Sequence, residues 1–246
     1  EAYTVAGEYT RSNPLARRSL ELAEGLWDES DRRRILATKR FVETFSGFFT
    51  LKDTSIRIDR ASRLAAVART ALPRGDRLRI ESGLAAVRIT VDRSVSFDRK
   101  QQYMRELLLE ARESLAADDP LLFRTLRAAA RTLMPINRDS LTLALEARRL
   151  AEASCGTEHP QAELGLGTES YLISLVDGDA AALMHLLDHI DRAERLLGPL
   201  NESVQVAVAN IASLMLATGE LELAESWTDR KEHTSELQSP CNLVCR

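Results

Sequence analysis

The chain has 246 residues, of which 28% are charged and 44% hydrophobic, and its formal net charge is −4. A chain of this length can bury most of the surface that it exposes when unfolded, either in one large domain or in an array of repeats. The mildly acidic balance excludes a general attraction to nucleic acid or to anionic membranes, which requires a basic excess. No apolar run reaches the ~20 residues that cross a bilayer. We therefore expect no direct contact with nucleic acid and none with a membrane.

Residues 232–246 read EHTSELQSPCNLVCR and differ in character from everything before them. They resemble the reading-frame translation of a sequencing-library adapter joined near Thr228, with residues 229–231 read in a neighbouring frame. We therefore expect 229–246 to be a disordered artefact and 1–228 to be a fragment of a larger chain. Cys155 is then the single natural cysteine, which fits a reducing, cytoplasmic location.

In the first half of the chain, five segments have apolar residues at helical spacing. The first is expected to start at a Ser12-Asn13-Pro14 cap and to place apolar side chains on one face: Leu15, Leu22 and Leu26. The second starts at Ser30 or Asp31, and Pro73 ends the third. The fourth, from Asp76, is ambiguous because its valines also alternate as in a strand. The fifth starts at Ser96.

In the second half, Asp119 and Pro120 mark the clearest helix start, since an aspartate cap precedes a first-turn proline. A seventh helix is predicted from Asp139 or Ser140 to the C-cap Gly156. An eighth runs from Pro160 to Gly178, weakened by two internal glycines. A ninth is predicted to be capped by Asp179, with an apolar face that consists of Leu183, Leu186, Leu187 and Ile190. Two further helices follow, the last from Glu220.

A repeat is visible at an offset of 41 residues, where residues 175–182 parallel residues 216–223. In both, an apolar helix ends in glycine, an acidic residue follows and a new helix starts. Short turns make neighbouring helices antiparallel, and the period is close to that of the longer helical-hairpin repeats. We predict an all-α fold of antiparallel helix pairs, stacked as a right-handed solenoid like that of tetratricopeptide repeats (TPRs). An ordinary helical bundle is the alternative.

His185 and His189 are the sharpest candidates for chemistry, because residues four apart on a helix project to the same side and could hold one metal ion. Asp188 stands where a reversed zinc-protease motif has glutamate, and no third ligand helix is recognisable. The histidines fit the polar flank of a helix equally well. No Gly-Lys-Ser/Thr phosphate loop is present, and Gly165 and Gly167 lack the third glycine of a dinucleotide fingerprint. We predict no catalytic, cofactor or metal residue and no enzymatic activity.

Three stretches carry a family resemblance: residues 175–182, 191–200 and 212–225. Their pattern of paired amphipathic helices resembles the TPR-like region of large bacterial ATP-dependent transcriptional regulators of the LuxR and activator type. The resemblance implies an ATP-binding module upstream, a DNA-binding domain at one end, and a helical array that senses a protein or small-molecule inducer. No nucleotide- or DNA-binding residue of that family has a match here, so no cofactor is expected in this fragment. A stand-alone TPR-like adaptor and a metal-dependent enzyme that uses His185 and His189 are the alternatives.

Overall fold

The computed structural model describes residues 9–44, 51–89, 97–133, 135–199 and 201–227. These residues form eleven helices and no strand: α1 (Tyr9–Leu26), α2 (Arg32–Thr44), α3 (Leu51–Ala71), α4 (Arg77–Ile89), α5 (Phe97–Ser114), α6 (Pro120–Thr132), α7 (Arg138–Cys155), α8 (Pro160–Glu163), α9 (Leu166–Asp177), α10 (Asp179–Leu197) and α11 (Glu202–Thr218). Residues 221–227 are also helical. The predicted all-α class is confirmed. The predicted adapter segment, 229–246, lies outside the described residues.

The chain divides into two compact units, each with its own core. Unit 1 (Glu1–Ala116) contains α1 to α5 and has an apolar cluster that includes Ile35, Val42 and Leu64. Unit 2 (Ala117–Arg246) contains α6 to α11 and has apolar clusters around Ile190 and Leu172. The prediction of one domain over 1–228 stays a prediction.

A polar cap recurs at the helix starts. Six helices begin after a polar residue whose side chain accepts a hydrogen bond from the backbone amide two positions later: Asp31, Asp76, Asp119, Asn137, His159 and Asn201. Such caps satisfy amides that have no partner in the first turn of a helix. Asn137 caps α7, and the other five caps precede the first helix of each pair: α2 with α3, α4 with α5, α6 with α7, α8 and α9 with α10, and α11 with residues 221–227.

The direction of the helices follows from their side-chain contacts. Within a pair the helices are antiparallel: Arg195, near the end of α10, contacts Glu158 just before α8, whereas His185, ten residues earlier, contacts Glu169 of α9. The first helices α2 and α4 lie side by side in the same direction, and the residues that contact each other are about one repeat apart. Lys39 contacts Glu81 across 42 residues in unit 1. The predicted antiparallel pairs are therefore present in the described residues.

The first helix corrects two expectations. It starts at Tyr9 and contains Pro14 instead of starting there. Pro14 is the sixth residue of this helix, where its missing N–H removes one backbone hydrogen bond. Leu15, Leu22 and Leu26 share a face, but that face is exposed, and Leu20 and Ala23 occupy the core instead. Small alanines fit the close contact between α1 and α2, a feature that spacing of leucines cannot reveal.

The structure resolves one ambiguous segment and corrects two helix caps and one helix face. The ambiguous fourth segment is the helix α4. The cap of α7 is Asn137, two residues earlier than expected, because its side chain reaches the amides of Asp139 and Ser140. Gly178 precedes α10, and Asp179 lies in its first turn, where it bonds to the Ser174 hydroxyl instead of capping the helix. On α10, Leu187 faces solvent.

The largest difference concerns the helix predicted from Pro160 to Gly178, which is divided into α8 and α9. The interruption falls at Leu164 and Gly165. Glycine lowers the stability of a helix interior, which makes an interruption there inexpensive. The charged side chains on either side of the interruption form the cluster described next.

Candidate functional site

Arg148 lies at the centre of a buried charge cluster in unit 2. It belongs to α7, where the alanines Ala144, Ala147 and Ala151 form the buried stripe and leave room for a long side chain. Arg148 is only 5% exposed. A buried guanidinium requires acceptors for its five N–H groups, since an unpaired buried charge is strongly destabilising.

Two fully buried carboxylates supply those acceptors. Arg148 Nε donates to Glu169 Oε2 at 2.6 Å, and its two terminal nitrogens lie 3.2 and 3.3 Å from the oxygens of Glu163. Both glutamates are 0% exposed. Glu163 ends α8 and Glu169 lies in the first turn of α9, so the interruption between the helices separates them. Residues six apart on a continuous helix point about 120° away from each other. The interruption therefore allows both carboxylates to reach one guanidinium.

Gly165 sits against the cluster and has no room for a side chain. A Cβ atom there would lie 2.6 Å from Glu169 Oε1 and 2.8 Å from Arg127 Nε. Arg127, on α6, donates from Nη2 to the backbone carbonyl of Gln161 at 2.5 Å. Among the described residues, Glu169 Oε1 and Arg127 Nε have no hydrogen-bond partner. The glycine thus permits a close approach of two charged groups.

Helix α10 closes the cluster with three side chains on one face. His185 Nε2 lies 3.2 Å from Glu169 Oε2, and Arg192 Nε donates to Glu163 Oε1 at 2.6 Å. Arg192 Nη2 lies 2.7 Å from His189 Nδ1. Because a guanidinium nitrogen can only donate, we assign this ring nitrogen as the acceptor.

The charges inside the cluster, together with burial, shift the pKa values of its members. Burial raises the pKa of Glu163, but its contacts with the guanidinium groups of Arg148 and Arg192 outweigh burial and lower the pKa to about 2. Burial lowers the pKa of Arg148, and the two glutamates more than reverse that effect. For Arg127, burial dominates and the pKa is lowered. Glu163 is consequently ionised at neutral pH.

The predicted side-by-side arrangement of His185 and His189 is present, with ring centroids 4.7 Å apart. Their surroundings do not favour a cation, because Arg192 donates to His189 and Arg148 lies between the two glutamates. Across the described ranges, no group of three histidine, cysteine or carboxylate side chains is arranged to hold a metal ion. This geometry gives the metal-dependent alternative no support.

Reasoning from the sequence found the two histidines but missed Arg148, Glu163, Glu169 and Arg192. One signal was available: Arg148 lies within a helical stripe of alanines, where a charged side chain is expected to be paired. The partners could not be identified, because Glu163 and Arg192 come from separate helices and their separation in sequence indicates no contact.

Three half-exposed apolar side chains lie on α9 and α11, and those of α9 are on the side away from Glu169. Val206 of α11 is half exposed and packs so closely over Gly167 that a Cβ there would lie 2.7 Å from its methyl group. Tyr171 and Leu175 follow Gly167 on α9 and are also half exposed. We call Tyr171, Leu175 and Val206 the α9–α11 surface. It is carried by first helices of two consecutive pairs.

The basic residues of α2 are paired with other residues of unit 1. Arg33 pairs with Asp31, Arg32 with Asp76, and Lys39 with both Glu43 and Glu81. These contacts match the ordinary pattern of a solvated charged face and give no basic patch for phosphate recognition.

Among the comparisons with known proteins, the comparison of structures found a match. No protein-family model matches the chain, and no curated protein matches its sequence. The chain is similar to a crystal structure of nearly identical TPR-like repeats, a point variant named after a kinesin light chain of Podosopora anserina. The two chains are 13% identical with a TM-score of 0.58, and the match covers 84% of this chain and 96% of the other.

This similarity confirms the predicted TPR-like fold, and at such low identity it shows the fold alone. Within the described ranges, no helix is both long and apolar enough to cross a membrane.

Proposed function

We propose that this chain is a non-catalytic, protein-binding TPR-like region. The observation that carries the proposal is the α9–α11 surface, where three half-exposed apolar side chains lie on the first helices of consecutive pairs. Stacked helical repeats present such surfaces as extended binding sites. Apolar side chains that are exposed on neighbouring helices offer contact area to a partner.

We further propose that the region belongs to a bacterial ATP-dependent transcriptional regulator and acts in the cytoplasm. The resemblance in residues 175–182 and 212–225 supports this assignment, as does the 41-residue repeat. ATP would bind to an upstream module, and DNA to a separate domain. The array would respond to a protein or small-molecule inducer, and would shift the ATPase only by binding one conformation more tightly than another.

The first test is the DNA sequence of the source locus around the codon for Thr228. We expect the tail to disappear and the reading frame to include an upstream Gly-x-x-x-x-Gly-Lys-Ser/Thr motif and a helix-turn-helix. A short gene without these modules would instead favour the stand-alone adaptor. A tail encoded in the genome would contradict the adapter assignment.

The second test uses the complete protein from that locus. Leu175→Glu together with Val206→Glu introduces charge into the α9–α11 surface, and we expect ATP hydrolysis to lose its response to the inducer while basal hydrolysis remains. Met184→Glu is the matched control, since Met184 is an exposed apolar residue on α10 outside this surface. An unchanged response in the double variant would contradict the proposed surface.

A further inference from the structure

The interruption at Leu164 and Gly165 distinguishes the second helix pair of unit 2 from its neighbours. The first helices of the flanking pairs, α6 and α11, are continuous over 13 and 17 residues. In the second pair, α8 has four residues and α9 has twelve. The backbone hydrogen bonds of α9 begin at the Gly165 carbonyl, which accepts from the amides of Thr168 and Glu169 at 2.9 and 3.0 Å.

The backbone at the interruption is already close to helical. Leu164 has φ −60° and ψ −14°, and Gly165 has φ −98° and ψ −7°. A regular α-helix has φ of about −63° and ψ of about −42°. Rotations of a few tens of degrees at two residues would therefore join α8 and α9, and no crossing into another region of conformational space is required.

Side chains, and not the backbone, favour the interrupted form. Only this form lets Glu163 and Glu169 share Arg148, because a continuous helix would turn them about 120° apart. Arg127 adds a second constraint: it donates to the Gln161 carbonyl, which in a continuous helix would accept from the Gly165 amide. Gly165 lets Arg127 and Glu169 approach without a Cβ between them.

We propose that Leu164 and Gly165 form a conformational switch that is held in its bent state by the charge cluster. In the second state, residues 160–177 form one continuous helix, and one carboxylate leaves Arg148. The change rotates Tyr171 and Leu175 relative to α10 and α11, and so alters the α9–α11 surface. The switch is a property of the cluster and does not depend on the identity of any partner.

Hydrogen exchange resolved to single amides tests the switch in the full chain. Glu169→Leu removes one carboxylate from the cluster, and Gly165→Ala fills the space between Arg127 and Glu169 with a helix-favouring residue. In both variants we expect the amides of Gly165 (or its alanine), Leu166 and Gly167 to exchange at least about tenfold more slowly, because a continuous helix gives them carbonyl partners. Amides in the middle of α6 report that the variant is folded.

Glu158→Gln is the matched control, since Glu158 belongs to the exposed pair with Arg195 and lies outside the cluster. Its exchange at residues 165–167 should equal that of the unaltered chain. Unchanged or faster exchange at these amides in the folded Glu169→Leu and Gly165→Ala variants would overturn the switch. Two variants of opposite chemistry keep the test informative if one of them does not fold.

Discussion

Units 1 and 2 both use ion pairs to connect consecutive helix pairs, but they place them at different depths. In unit 1, Lys39 pairs with Glu81 and Glu43, whose side chains are 17% and 31% exposed and remain in contact with water. In unit 2, Arg148 pairs with Glu163 and Glu169, which are fully buried. The same type of contact is therefore a partly buried interaction in one unit and a fully buried ionic cluster in the other.

The depth of an ion pair determines how much the loss of one partner destabilises the protein. A carboxylate near water can lose its partner and be solvated instead, so its pairing contributes little. A carboxylate without access to water depends on its partner, and removal of that partner costs several kcal/mol. The cluster of unit 2 thus ties several helices to one specific arrangement, whereas the pairs of unit 1 mainly add to an existing apolar core.

The largest expected difference between the units comes from deleting the central cation of each. Arg148→Met should lower the free energy of unfolding by about 3–5 kcal/mol, because two buried carboxylates lose their main partner. Lys39→Met should cost roughly 1 kcal/mol or less, because Glu81 and Glu43 reach water. Urea unfolding of both variants, with hydrogen exchange to locate the loss, measures the contrast. Equal costs would show that burial depth does not separate the two units.

Acid should weaken unit 2 through Glu163. The pKa of Glu163 is about 2 in the folded protein against an ordinary value of 4.5. Its contribution is complete above pH 4.5 and is lost as the pH falls towards 2, a loss of about 3 kcal/mol. Denaturation measured from pH 6 to pH 2, with exchange in unit 2 as the readout, tests the direction. In Glu163→Gln this part of the pH dependence should be absent.

Substitution by alanine should have opposite effects on stability at two glycines, Gly165 and Gly25. Gly165→Ala should destabilise the interrupted form of unit 2 by about 1–3 kcal/mol, because in that form the new methyl group meets Glu169 and Arg127. Gly25→Ala in α1 should stabilise unit 1 by about 0.5–1 kcal/mol, because a Cβ there meets nothing within 4 Å and alanine favours a helix. Thermal unfolding distinguishes them, and a stabilising Gly165→Ala would mean that the cluster tolerates a side chain at this point.

The smallest effect is expected at the surface of unit 2. Arg195→Gln removes an exposed ion pair with Glu158 and should change the free energy of unfolding by no more than about 0.5 kcal/mol. A change as large as that of Arg148→Met would show that position in unit 2, and not burial, makes its ion pairs important.

Much of the fold could be predicted from the sequence because its determinants are local. Asp119 followed by Pro120 specifies a helix start through one hydrogen bond and one fixed dihedral angle, and the structure has both. Gly156 ends α7 as predicted. The offset of 41 residues between Gly178 and Gly219 indicated stacked helix pairs, and both glycines end a helix with positive φ.

Which face of a helix is buried depended on neighbours that the sequence does not identify. In α1 the exposed leucines outnumber the buried one, and the contact with α2 selected Leu20 and Ala23 for the core. The charge cluster is the clearest case. The sequence by itself determined most of the helices, the pairing of neighbours and the side-by-side histidines. Only the tertiary structure brought Arg148, Glu163 and Glu169 together and interrupted a helix to do so, because the energy of a buried charge depends on partners from several elements at once.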